Sequence, residues 1–148
     1  MLKLAKPDLT QFPPRSVRVR LGGYAHLPRL LDKARAHAAG KAGDYSYNCP
    51  LDEHFFDFTG IDPKAFLAKV KKGASDTEML VWVDAKAKRA PHQVAVWTAW
   101  METRSPGGAD GHEWFHKAIT KLAAGREDIR TLFDLLDLDD YVTFGGKA

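Results

Sequence analysis

The chain has a single cysteine, Cys49, among 148 residues. An internal disulfide is therefore excluded, and nothing points to an oxidising compartment. Long apolar runs are also missing: none approaches the roughly 20 residues that a membrane-spanning helix requires. Residues 1–14 hold Lys3 and Lys6 but no apolar core. No signal peptide is expected on that ground, and the expectation is a cytoplasmic chain with no membrane association. Gly22 and Gly23 lack the spacing and the trailing Lys-Ser/Thr of a phosphate loop. The acidic run Asp137, Asp139, Asp140 lacks the turn glycine and terminal Glu of a calcium loop, and Tyr141 stands where a third ligand would be needed. No internal repeat at solenoid periods is present.

What the chain does have is the composition of an ordinary folded protein. It is 45% hydrophobic and 28% charged, and its length suits a single domain over 1–148 that can bury a core. The net charge of +3 is unevenly spread. Residues 1–41 carry nine Lys/Arg against Asp8 and Asp32, whereas residues 125–148 carry three against six acids. A basic arm can bind nucleic acid, but no helix-turn-helix, zinc-finger or aromatic RNA-binding signature accompanies it, so nucleic acid is not the expected partner. A solvated face, or pairing with the acidic tail of a second copy, accounts for the charge as well and leaves a homo-oligomer open.

Helix punctuation is frequent. Leu27 to Ala39 reads as a helix with Pro28 near its start and Gly40 after its end; Leu27, Leu30, Leu31, Ala34 and Ala38 form its apolar stripe, with Arg29, Lys33 and Arg35 elsewhere. Asp62 and Pro63 open a helix that ends near Lys72. Ser75 and Glu78 form a capping box ahead of Met79 to Val83. Pro91 opens a further helix to Met101 or Thr103. Apolar residues lie far around it, namely Val94, Trp97 and Met101 beside Val96 and Trp100, and this predicts the central helix of a bundle. Arg104 to Gly111 reads as a loop, His112 to Ala124 as a helix, and Ile129 to Leu136 as the last helix, with Asp128 at its start. Val17, Val19 and Leu21 alternate with arginines at strand period, over too short a stretch to imply a sheet. The predicted fold is all-α, a compact bundle of six or seven short helices, with an extended N-terminal arm over 1–15.

The stretch from Tyr45 to Gly60 concentrates the chemistry. Pro50 at the first helical position makes Cys49 the N-cap, and Gly60 terminates the helix in a left-handed cap. Leu51, Phe55 and Phe58 share one face, widened by Phe56. A helix N-terminus can activate a thiol. Asp52 and Glu53 in the first turn oppose a thiolate, and that balance favours an unreactive Cys49. A second constellation is His112, Glu113 and His116. Histidines four apart share a helix face and can ligate zinc, with the glutamate as base toward a bound water. Against it stand the glycines at 107, 108 and 111, which place His112 at a frayed end, the cation Lys117, and the lack of a third ligand. No metal and no cofactor are expected.

Several segments together resemble a bacterial family of unknown function, domain of unknown function family 5069. They are Arg18 to Tyr24, His26 to Arg35, Tyr47 to Asp52, Phe56 to Gly60 and Phe133 to Asp140. The resemblance runs from about Phe12 to about Phe144. It implies a small bacterial domain and no particular activity. It clusters around Tyr24, His26, Tyr47, Asn48 and Cys49, and leaves out His112 to His116.

Three functional readings follow. The first is a domain binding a small molecule or a protein partner, with a pocket walled by Tyr24, Tyr45, Tyr47 and the Phe55 to Phe58 helix, and with His26, Asn48 and Cys49 as its polar groups. The second is an enzyme with Cys49 as nucleophile and His26 as base. The third is a zinc hydrolase using His112, Glu113 and His116.

Overall fold

The computed structural model describes residues 6–148; of the expected N-terminal arm, residues 1–5 lie outside the described residues. The described chain is mainly helical. A two-stranded antiparallel pair, β1 (Arg20–Leu21) and β2 (Tyr24–Ala25), precedes seven helices: α1 (Leu27–Ala38), α2 (Pro50–Thr59), α3 (Pro63–Lys71), α4 (Asp76–Ala87), α5 (Pro91–Thr103), α6 (Gly108–Ala123) and α7 (Leu132–Thr143). No described helix is long and apolar enough to cross a membrane. The chain divides into two compact units, one ending at Thr98 and the other comprising Ala99–Ala148.

In the first unit, Gly22 and Gly23 turn the β-hairpin with φ of 58° and 85°. Two consecutive positive φ values define the tight turn whose twist matches the strands it joins. A Cβ at Gly22 would also collide with the side chain of Leu80. Thr98 fastens the hairpin to α5, donating to Gly23 O at 2.7 Å and accepting from Ala25 N at 3.1 Å.

Helix α1 holds the centre of this unit. Ten consecutive residues, Leu27 through Ala36, are buried. Of the expected stripe, Leu27, Leu30, Leu31 and Ala34 are fully enclosed and Ala38 is exposed, while Arg29, Lys33 and Arg35 are enclosed as well, at 3%, 4% and 7% exposure. Buried charges are retained when they are paired, and each has a partner. Arg35 binds Asp76, which Arg15 of the arm also reaches while forking onto Asp32; Lys33 binds Asp52; and Arg29 donates to the backbone carbonyl of Arg15 at 3.4 Å. Helix α5 does not play the central role that its composition suggests. Its Val94, Trp97 and Met101 row is buried, yet Val96 and Trp100 are 69% and 47% exposed.

Helix α2 spans the predicted Pro50–Thr59 and closes on Gly60 at φ 71°. Its buried face is Asp52, Phe55, Phe56 and Thr59, turned by about one residue from the expected Leu51, Phe55, Phe58 stripe. A carboxylate therefore points inward. Phe55 sits among Tyr24, Phe66 and Trp97 at edge-to-face spacings of 5.6–6.1 Å. Asp62 and the Ser75–Glu78 capping box start α3 and α4 as expected.

The second unit departs from expectation at two boundaries. Helix α6 begins at Gly108, inside the stretch read as a loop, which puts His112 one full turn into the helix. Helix α7 begins at Leu132 rather than Ile129 and runs through the acidic residues 137–140. Its cap is Thr131, whose hydroxyl accepts from Asp134 N at 3.1 Å while Asp134 accepts from Thr131 N at 2.9 Å. Asp128 binds Arg126 instead. Phe115, Ile119 and Leu135 form the core joining α6 to α7, with Leu122, Ile129 and Leu132 packed around it.

Candidate functional site

His26, Arg29 and Lys33 stand at i, i+3 and i+7, so they share one face at the start of α1. Cys49 and Asp52 are the N-cap and third residue of α2. Where the first turn of α2 meets α1, four of these groups come into one chain of contacts. Nε2 of His26 lies 2.7 Å from Asp52 Oδ1, with both side chains fully buried. Lys33 Nζ donates to Asp52 Oδ2 at 2.8 Å and Oδ1 at 3.0 Å. The same ammonium donates to Cys49 Sγ at 3.2 Å. Asp52 Oδ2 also accepts from the backbone N–H of Cys49 at 3.2 Å, half of a capping box. Cys49 itself is partly exposed.

The protonation states follow from burial and neighbours. Burial disfavours the Asp52 charge, but hydrogen bonding from His26, the charge His26 carries once protonated in acid, and the charge of Lys33 outweigh it and hold the carboxyl at about 2. Burial pushes the His26 pKa down, Asp52 opposes this, and the positive charges of Lys33 and Arg29 reinforce it. At neutral pH Asp52 is thus ionised and a neutral His26 donates to it through Nε2. His26 Nδ1 is buried with no hydrogen-bond partner. The backbone flanking the cluster is unusual on both sides: His26 has φ 69° and Asn48 has φ 61°. Non-glycine residues in the left-handed region store strain, mildest for Asn, and such strain gathers at functional sites.

The other candidates disperse. Tyr24 is 1% exposed and lies in the aromatic core, edge-on to Phe55 and Trp97. The Arg29 guanidinium lies over the ring of Tyr45 at 5.4 Å. Tyr47 stacks on His37 with centroids 5.7 Å apart, and its hydroxyl donates to Pro63 O at 2.6 Å. Burial raises the pKa of that phenol, with Asp52 and Asp62 adding to the effect. Asn48 is exposed and lines an open hollow of ≈ 510 Å³ with Glu53, Phe56, Asp57, Gly60, Ile61, Asp62 and Pro63. His112, Glu113 and His116 are all exposed on α6, and Glu113 pairs with Lys117 at 2.7 Å. Among the described residues no group of three or more His, Cys, Asp or Glu side chains is placed to hold a metal ion.

Two residues of the cluster, Lys33 and Asp52, were not read from the sequence as site residues. The signal was available in part. Charges at 29, 33 and 35 interrupt an otherwise Leu/Ala helix, which leaves little solvent-facing surface to hold them. The identity of their partners depended on how α2 packs, which no local pattern encodes.

The first unit is helical and carries a buried Lys–Asp–His chain that ends at the partly exposed Cys49. The chain belongs to the family described as Domain of unknown function (DUF5069), whose model matches residues 11–142. Among curated proteins no match is found.

Proposed function

We propose that this chain is a thiol-centred binding domain, with Cys49 as the group that meets the ligand or substrate. Lys33 is its charge partner, and Asp52 with His26 holds the Lys33 ammonium in place. One observation carries the reading: Lys33 Nζ, almost wholly out of water, is shared between Asp52 at 2.8 Å and Cys49 Sγ at 3.2 Å. From the sequence, Asp52 counted against a thiolate because its charge stands in the same helical turn. In the fold that charge is matched by Lys33, and the matching ammonium also faces the sulfur. A nucleophilic sulfur needs such a partner, since the thiolate is the reactive form. The class of ligand suited to it is an electrophilic carbon or a group transferred to sulfur. The enzyme alternative thereby keeps Cys49 as nucleophile, but the side chain in contact with its sulfur is Lys33, while Nε2 of His26 is taken up by Asp52.

The test is alkylation of the native protein with iodoacetamide, followed by intact mass, comparing the wild type with Lys33→Met. The wild type should react in the folded state at neutral pH. A Lys33→Met protein that circular dichroism shows to be folded should react about tenfold more slowly, the scale of one lost charge-assisted hydrogen bond. Equal rates in the two folded proteins would remove Lys33 from the site.

A further inference from the structure

Cys49 is the only thiol of the chain. A sulfenic acid formed on it therefore has no second cysteine in the same molecule with which to close a disulfide. It does have a nitrogen: Lys33 Nζ, 3.2 Å from the sulfur. Sulfenic acids condense with nitrogen as well as with thiols. Lys33 is also held in that position, since Asp52 fixes it through both carboxylate oxygens and its side chain is only 5% exposed. The amine is thus shielded from other partners, while Cys49 as a residue is only partly buried.

We propose that Cys49 and Lys33 form an oxidant-driven modification site, in which a peroxide closes a covalent sulfur–nitrogen bond between them and switches the thiol off. The proposal rests on the reading of Cys49 as an accessible thiol. In the first step the sulfur attacks one oxygen of hydrogen peroxide and the O–O bond breaks. The sulfur loses two electrons to the peroxide, giving Cys49 sulfenic acid and one water. In the second step Nζ bonds to Sγ and the S–O bond breaks. The hydroxyl leaves as water with one of the ammonium protons. The second ammonium proton is lost first, to a buffer base in solution, which frees the Nζ lone pair that attacks the sulfur. No further oxidant is consumed, and the protein ends two hydrogens lighter. An added dithiol reverses the change by reducing the S–N bond to thiol and amine.

This bond would remove the nucleophile and the Lys33 charge together. A ligand bound through Cys49 should protect against it, and oxidation should block alkylation.

The experiment treats the native wild-type chain with one equivalent of hydrogen peroxide, alkylates it under denaturing conditions, and measures intact mass and a peptide map. The expected product is about 2 Da lighter than the starting protein and resists alkylation. Its digest joins the peptide of Lys33 to that of Cys49, and dithiothreitol restores the starting mass. Lys33→Met should instead gain about 16 Da per oxygen taken up. If that variant fails to fold, the joined peptide in the wild type still decides. Oxygen adducts without a joined peptide in the wild type would overturn the proposal. If native Cys49 alkylates readily and yet gives only those adducts, the thiol-centred reading stands and the switch falls. If Cys49 neither alkylates nor oxidises until the protein unfolds, both fall.

Discussion

Helix α6 displays His112, Glu113 and His116 at a spacing that spells a metal site in five letters. All three are exposed, and the glutamate spends its charge on Lys117 one turn away. The start of α1 displays His26, Arg29 and Lys33 with no motif at all. All three are buried, and they engage partners on other elements. The difference lies in what water does to each set. Exposed side chains at helical spacing are solvated whether or not they have a function, so the pattern alone is weak evidence. An ion in the interior loses its hydration and persists only with compensating contacts. The buried set is therefore the more informative one, although it is the harder to see in a sequence.

Removing one partner from each region should separate them most widely. Lys33→Met leaves the Asp52 carboxylate buried without its cation, and the expected loss of stability is about 3–5 kcal/mol in a urea titration. Lys117→Met breaks a solvent-exposed pair and should leave the midpoint unchanged within error. Comparable losses at the two positions would erase the distinction drawn here.

Acid should sharpen the same contrast with a smaller effect. Burial holds His26 neutral, so its folded pKa lies below the unfolded value of about 6.5. The unfolded chain then binds a proton that the folded chain does not, and stability should fall as pH drops below about 6.5. Above that pH the contribution is fully present. His26→Gln should flatten this part of the profile, and His112→Gln should not. Asp52 acts in a lower window. Its carboxyl is held at about 2, so its contribution is present above about 3.8 and is lost as pH falls through about 2. A wild-type stability that is level from pH 7 to 5 would contradict the neutral, buried His26.

The smallest effect belongs to the α6 motif. Chain purified without a polyhistidine tag should carry no stoichiometric zinc by elemental analysis, and His116→Ala should change neither metal content nor melting temperature. One zinc per chain, lost in that variant, would reverse the ranking of the two regions.

Local chemistry made much of the fold legible. Pro50 and Gly60 bracket α2 at the expected residues, and Ser75 with Glu78 opens α4, because capping and glycine preferences act within a single turn. The start of α7 was misplaced for a local reason as well. Ile129 extends the apolar period toward the N-terminus, but Thr131 and Asp134 form a capping box that marks the true boundary. The candidate site was legible only in part. Cys49 at a helix N-cap and His26 before α1 could be picked out from their neighbours in sequence. That Asp52 turns inward, and that Lys33 reaches both Asp52 and Cys49, depends on a contact between α1 and the start of α2 whose partners Lys33 and Asp52 are 19 positions apart in sequence. Exposure of Val96 and Trp100 on α5 was likewise hidden, since composition around a helix does not say which side meets solvent.

The central claim, that Cys49 is a working thiol supported by the buried cluster, is tested most directly by comparing its alkylation rate in the native wild-type chain with that in the urea-unfolded chain at the same neutral pH. The native rate should at least equal the unfolded rate, despite partial burial, because only the folded chain sets Lys33 Nζ against the sulfur. A native rate that tracks the small unfolded fraction, vanishing as stability is raised, would make Cys49 a packing residue and contradict the account.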